Sequence, residues 1–228
     1  MGTRNYGVSV RDKLKSYQTD KVTYQQVLIR YLHERLLYRM SVSRFNKQFF
    51  LKGGALMFAH ERFAARPTMD IDFMGSRISN DRETIKNAFI EICSIEYPAL
   101  LDGMADIPIM AYSLETVVAE KFQTMIARAV LNSRMKDFYD VYTILQHEEL
   151  SEEDLSRAIV GVMKNRGTHY EENHPLFTDE FASSSVCAVQ WAAFVRKNKI
   201  DKAPSFPEVM ELICGWLQPI WESMAGCM

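Results

Sequence analysis

Hydrophobic side chains recur every three or four residues along most of this chain, a spacing that predicts amphipathic helices. The predicted helices cover residues 20–40, 55–65, 79–96, 113–131, 136–146, 151–164, 186–197 and 207–224. Asp20, Ser113 and Ser151 are expected to be N-caps, because a short polar side chain can accept a hydrogen bond from a free N–H of the first turn. The polar residues 1–19 and 167–184 are expected to be loosely held or irregular.

Strand patterns are few, and all of them precede residue 112. Phe49-Phe50-Leu51 is a short apolar run, residues 68–74 alternate between polar and apolar, and residues 107–111 are apolar. Pro108 favours an edge strand in the last of these, because proline donates no ladder hydrogen bond. The expected fold class is α+β. A small mixed sheet with flanking helices is expected in residues 1–111, and a helical domain in residues 112–228.

The composition is that of a globular protein. The 228 residues are 47% hydrophobic and 25% charged, enough for one good core or two small ones. A net charge of −2 gives no global attraction to nucleic acid or to an anionic membrane. No apolar run is long enough to cross a membrane, and the N-terminus lacks the apolar core of a signal peptide. The four widely spaced cysteines are expected to be free thiols in a reducing cytoplasm.

Two aspartates within residues 52–73 carry the chemistry that the sequence predicts most directly. Asp70 and Asp72 lie in the alternating stretch, and in a strand residues two apart project from the same face. Ile71 and Phe73 would then lie on the opposite, buried face. Two neighbouring carboxylates repel unless a cation lies between them, and hard oxygen ligands suit Mg²⁺. The alternative is a pair of surface acids on an edge strand.

A glycine pair precedes this stretch. Gly53 and Gly54 would allow a turn that brings backbone N–H groups close to a phosphate at the start of the following helix. The plainer interpretation is an ordinary turn that begins a helix. A phosphate-binding turn beside a metal-binding carboxylate pair is typical of phosphoryl-transfer enzymes.

These features resemble the nucleotidyltransferase fold of the DNA polymerase β superfamily, whose signature is Gly-Gly/Ser, a short helix and Asp-x-Asp. Three further stretches resemble motifs of the AbiEii/AbiGii toxin family, found in abortive-infection and type IV toxin–antitoxin systems. They are Arg66-Pro-Thr-Met-Asp-Ile-Asp-Phe73, Tyr112-Ser-Leu-Glu-Thr-Val-Val-Ala-Glu-Lys121 and Arg134-Met-Lys-Asp-Phe-Tyr-Asp140. The resemblance covers most of the chain.

The resemblance implies a cytoplasmic, Mg²⁺-dependent nucleotidyltransferase toxin. Its substrate would be a nucleoside triphosphate, GTP or another nucleotide, and its acceptor a hydroxyl such as that of a tRNA 3′ end. Asp70 and Asp72 would hold Mg²⁺, while backbone N–H groups of Gly53 and Gly54 would contact the triphosphate. A type IV system implies a cognate antitoxin that does not bind the toxin stably, and nothing implies a membrane partner.

The resemblance also assigns roles to residues of the second half. Lys121 would neutralise charge on the polyphosphate, Asp137 would deprotonate the acceptor, and Asp140 would orient a basic partner such as Lys121 or Arg134. Without the resemblance, Lys121 would belong to a solvated cationic helix face. Asp137 and Asp140 share a helix face, and on their own they would be exposed acids or partners of Arg134.

The chain departs from the family pattern in two ways. Ala55 stands where a Thr or Ser usually follows the glycines, which removes a hydroxyl that would help to hold phosphate. A third carboxylate is expected on a later strand, yet residues 73–111 are mostly one predicted helix, with Asp102 and Asp106 as the nearest substitutes. Two alternatives follow: a catalytically inactive nucleotide- or RNA-binding derivative that has lost this strand, and a purely interacting protein whose helical half docks an antitoxin or itself.

Overall fold

The computed structural model describes residues 6–20, 22–61, 68–96, 107–129 and 133–226. This part of the chain is mostly helical, with one small antiparallel sheet of two strands. The chain divides into two compact units, Met1–Tyr112 and Ser113–Met228. The expected α+β class is therefore confirmed.

The first unit carries both strands. Its elements are α1 (Tyr6–Ser16), α2 (Tyr24–Val42), β1 (Phe49–Lys52), α3 (Gly53–Glu61), β2 (Asp72–Gly75) and α4 (Arg82–Ser94). β1 and β2 pair antiparallel, with Phe49 opposite Gly75 and Lys52 opposite Asp72. The apolar segment 107–111 forms one parallel bridge, between Ala111 and Leu51, and not the predicted strand.

An aromatic core covers one face of this two-stranded ribbon. Met40 of α2, Phe49 of β1 and Ile92 of α4 are buried together. The ring of Phe49 lies edge-on to those of Phe73 and Phe89, with centroids 6.3 and 5.4 Å apart. Since Phe73 packs into this core, the neighbouring Asp72 on the other side of the strand is exposed.

Two predictions about the first helices are wrong. Residues 6–16, expected to be loosely held, form α1, and Leu14 of that helix is 4% exposed. The second helix begins at Tyr24 with Thr23 as its N-cap, and not at Asp20. Thr23 and Gln26 form a capping box, in which each side chain bonds the backbone N–H of the other residue.

The predicted strand 68–74 is wrong for residues 68–71, because β2 starts at Asp72. β2 is shorter than predicted because its partner strand, β1, is short. β1 ends at Lys52, and the chain turns into α3 at Gly53, so residues 68–71 have no β1 residue opposite them. The predicted helix at 55–65 begins earlier, at Gly53, while residues 62–67 lie outside the described part of the chain.

The second unit is helical. Its elements are α5 (Leu114–Arg128), α6 (Met135–His147), α7 (Glu152–Asn165), a 3₁₀ turn (Pro175–Phe177), α8 (Asp179–Ala182), α9 (Ser185–Asn198), α10 (Phe206–Ser223) and a closing 3₁₀ turn (Met224–Gly226). The predicted caps Ser113 and Ser151 are confirmed, since their hydroxyls accept hydrogen bonds from Thr116 and Asp154 N–H groups. The segment 167–184, expected to be irregular, contains the first 3₁₀ turn and α8.

Apolar faces of α5, α6, α7 and α10 form the core of this unit. Fully buried side chains come from each of these helices: Phe122, Met125, Phe138, Ile144, Leu155, Ile159, Ile213 and Leu217. His174 is also buried, at 4% exposure. Its Nδ1 accepts from the Leu176 N–H at 3.2 Å, so the proton of the neutral ring lies on Nε2, 3.1 Å from the Ile126 carbonyl. Burial lowers the pKa of His174, and Glu171 partly opposes this shift.

Within the described residues, Cys93, Cys187 and Cys214 are free thiols, as predicted. No helix of the described chain has the length and apolar character needed to cross a membrane.

Candidate active site

The glycine pair and the acidic segment are in direct contact in the first unit. Gly53 follows β1 with φ +70°, a backbone conformation that strongly favours glycine. A Cβ at Gly53 would overlap the carboxylate of Asp72, and a Cβ at Gly54 would lie 2.7 Å from the Thr68 hydroxyl oxygen. Both glycines therefore provide the space in which residues 68–72 approach the start of α3.

Asp70 and Asp72 are both exposed beside this turn. Asp70 precedes β2 and accepts a 2.6 Å hydrogen bond from the Thr68 hydroxyl, whereas Asp72 is the first residue of the strand. The expectation that Asp70 lies in a strand is therefore wrong, and strand alternation does not relate its carboxylate to that of Asp72. Their exposure and their position next to the glycine pair agree with the expectation.

Two residues that the sequence analysis did not single out lie at this segment. The Thr68 hydroxyl contacts Gly54 and bonds Asp70, so it connects the glycine turn to the acidic segment. His33 of α2 is half-buried, and the negative charge of Asp70 partly offsets the lowering of its pKa by burial. The position of Thr68 two residues before an aspartate was the available signal for the first. No sequence pattern connects His33 to residue 70.

The donor set of this segment fits Mg²⁺. Carboxylate oxygens are hard ligands, and Mg²⁺ is commonly bound through one or two carboxylates together with substrate phosphates. Among the described residues there is no group of three or more His, Cys, Asp or Glu side chains placed to hold a metal. Asp102 and Asp106, the nearest substitutes for a third carboxylate, lie outside the described residues.

The predicted polar residues of the second unit form one ion-pair cluster. The Lys121 ammonium of α5 lies 3.0 Å from Asp137 Oδ1 and 2.7 Å from Asp140 Oδ2. Nε of Arg134, the residue that precedes α6, lies 2.7 Å from Asp137 Oδ2. The helical spacing of Asp137 and Asp140 presents both carboxylates to the same lysine.

Burial distinguishes this cluster from an ordinary surface network. The side chains of Asp137 and Asp140 are each 3% exposed, and that of Lys121 is 12% exposed. Two carboxylates, one ammonium and one guanidinium balance in charge, as buried ionic groups require. Lys121 is therefore not part of a solvated stripe, and Asp137 has a cation on each carboxylate oxygen. Phe138, expected in the core, is fully buried, and its ring centroid lies 5.3 Å from that of Phe206.

A family model described as "Nucleotidyl transferase AbiEii toxin, Type IV TA system" matches residues 35–98 and 94–212. The chain belongs to this family of toxin nucleotidyltransferases. The matched ranges contain the glycine pair, Asp70, Asp72 and all four residues of the Lys121 cluster. No curated protein and no solved structure matches the chain.

Proposed function

We propose that this protein transfers a nucleotide from a nucleoside triphosphate to an acceptor hydroxyl, with Mg²⁺ bound by Asp70 and Asp72. The observation that carries the proposal is the contact between the Gly53-Gly54 turn and the acidic segment. A phosphate-binding turn and metal-binding carboxylates can serve the same reaction only if they lie side by side. Here the Asp72 carboxylate occupies the space that a side chain at Gly53 would need.

The start of α3 supplies the phosphate-binding element. Its first N–H groups have no acceptor within the helix, and the helix dipole favours an anion there. In the proposed reaction the acceptor hydroxyl gives its proton to a base, for which the resemblance predicts Asp137, and its oxygen bonds to the α-phosphorus. The bond from that phosphorus to the bridging oxygen breaks, and pyrophosphate leaves. Bound Mg²⁺ would supply neutralisation of the charge on the departing phosphates. Thr68 would keep Asp70 positioned, since its hydroxyl donates to that carboxylate.

Roles for the Lys121 cluster follow from family membership and from its contacts. We infer that Asp137 and Asp140 hold Lys121 extended in one position, since each bonds its ammonium. The interaction of Lys121 with the polyphosphate and the action of Asp137 as base stay predictions from the resemblance. Both carboxylate oxygens of Asp137 already have a cation beside them, so an acceptor hydroxyl would have to displace one of these cations to reach Asp137.

Asp137→Asn separates these two roles. Loss of the base would lower kcat and leave the KM for nucleotide unchanged, whereas loss of a positioning partner would raise KM through a misplaced Lys121. The contacts of Asp137 favour the second result. Lys121→Met provides the comparison, because it removes the ammonium and keeps the apolar stem.

The direct test of the proposed function is label transfer. Purified protein is incubated with Mg²⁺, total tRNA and each α-³²P-labelled nucleoside triphosphate in turn, with GTP first. The wild-type protein is expected to label RNA. The rate of labelling by Asp72→Asn is expected to be lower by a factor of about 10² or more. Asp12→Asn is the matched control, since Asp12 is an exposed acid on α1 whose ion pair with Lys15 is solvated. Equal labelling rates for wild-type protein and Asp72→Asn would show that Asp72 takes no part in the reaction.

The inactive alternative is favoured by one observation, the lack of a third carboxylate beside Asp70 and Asp72 among the described residues. Its signature would be Mg²⁺–GTP binding that Asp72→Asn weakens, together with no label incorporated with any nucleotide or divalent metal. Family membership favours the enzyme.

A further inference from the structure

A groove of about 650 Å³ lies within the second unit, between α10, the end of α6 and the start of α7. Along α10 it runs from Glu208 to Ile220, about 18 Å at the rise of an α-helix. It contains none of the predicted site residues, and its part beyond residue 212 lies outside the family match.

The charged side chains that line the groove are all acidic. They are Glu152, Glu208 and Glu211, and within the described part of the chain no Lys, Arg or His lines the groove beside them. In the described chain, none of the three forms an ion pair, in contrast to Glu153, which pairs with Arg157. Hydrogen bonds from Ser205 lower the pKa of Glu208, so its carboxylate stays ionised. The groove thus presents uncompensated negative charge.

Aromatic and apolar side chains form the rest of the lining. Trp216 and Tyr142 are half-buried there, together with Leu212 and Ile220. The other tryptophans of the chain are core residues, at 4% and 2% exposure. An indole face attracts a cation, most often the guanidinium of arginine. A small inorganic cation could neutralise the glutamates, but it would leave the apolar side chains of the groove exposed to water.

A proline in α10 adds a hydrogen-bond acceptor. Pro219 has no N–H, so the carbonyl of Gly215 lacks the donor that an α-helix normally provides four residues later. Gly215 lines the same groove, and a Cβ built on it would meet no atom within 4 Å. The side of α10 at Gly215 is therefore open to a ligand.

We propose that this groove binds an extended segment of a basic partner protein, in which arginines alternate with apolar residues. A length of about 18 Å accommodates roughly five extended residues. Alternate side chains of such a segment project to opposite sides, so guanidinium groups can meet Glu152, Glu208, Glu211 and Trp216 while apolar groups cover Leu212 and Ile220. The proposal does not depend on the transferase activity.

The test uses the full chain and a fluorescein-labelled heptapeptide of alternating arginine and leucine, with binding followed by fluorescence anisotropy. We expect saturable binding that weakens as salt is raised. Glu152→Gln combined with Glu211→Gln should weaken it about five-fold, whereas Glu172→Gln, which alters an exposed acid outside the groove, should not change it. A peptide with glycine in place of leucine should bind clearly more weakly.

A blocking variant keeps the proposal testable if charge variants alter folding. Gly215→Phe introduces a ring where the structure has open space, so the protein should fold with an unchanged melting temperature or a higher one. Peptide binding should fall about ten-fold or more, because the ring occupies the groove. Binding that survives both Gly215→Phe and the double glutamate variant would overturn the proposal. Equal affinity for the arginine–glycine peptide would also overturn it, by showing charge attraction alone.

Discussion

Replacement of Gly53 by alanine tests the contact on which the proposed function is built. Alanine at φ +70° costs about 1–2 kcal/mol in backbone strain, and its methyl group would overlap the Asp72 carboxylate. Gly167 is the matched control, since it has φ +60° with no atom within 4 Å of a built Cβ. Gly167→Ala therefore experiences the strain without the overlap.

Both variants should melt earlier, by roughly 2–8 °C, from the strain that they share. Gly53→Ala should in addition lose label transfer and Mg²⁺-dependent nucleotide affinity, because Asp72 must move away from the turn. The assays are thermal melting by circular dichroism and the label-transfer reaction. If Gly53→Ala retains the activity of Gly167→Ala, the reaction does not need Asp72 to be held against the glycine turn.

Two further predictions concern buried ionisable groups. Asp140→Asn should lower the free energy of unfolding by about 3 kcal/mol or more, since it leaves the Lys121 ammonium with one carboxylate in a buried site. Glu153→Gln breaks an exposed pair and should lower it by less than about 1 kcal/mol. Urea denaturation measures both values. The pKa of His174 is lowered from 6.5, so the unfolded chain takes up this proton first as pH falls. Stability from this group should be complete above about pH 6.5 and decline as pH falls towards the folded-state pKa. Fluorescence of Trp221, whose ring lies 5.9 Å from His174, can follow unfolding. An unchanged pH slope in His174→Gln would contradict this assignment.

The helices were predictable from the sequence where local signals agree with packing. Ser113 and Ser151 cap the helices that they were expected to cap, because hydroxyl caps act within one turn and need no distant partner. The start of α2 was misplaced because Asp20 competes with Thr23, whose capping box with Gln26 satisfies two N–H groups.

The limits of β2 depended on a distant partner. Residues 68–74 alternate like a strand, yet pairing extends only as far as β1, which ends where Gly53 turns the chain. In residues 68–71 the Thr68 side chain bonds Asp70 locally, a pattern that competes with a ladder. Alternation alone could not reveal either effect.

The Lys121 cluster was likewise predictable from the sequence only in part. Helical periodicity placed Asp137 and Asp140 on one face, but their pairing with Lys121 is a tertiary contact between α5 and α6. Burial of that contact changes Lys121 from a solvated cation into a fixed one. The groove on α10 had no sequence signal, because Tyr142, Glu152 and Trp216 come together only through packing of three helices.

The position of the label within the nucleotide shows which phosphorus of the triphosphate reacts. Parallel reactions with α-³²P- and γ-³²P-labelled triphosphate distinguish nucleotidyl transfer from every other use of the substrate. For nucleotidyl transfer we expect acceptor RNA to acquire the α label, and the γ label to appear as pyrophosphate in equal amount. Label from the γ position on RNA or protein, or release of inorganic phosphate without α incorporation, would contradict it.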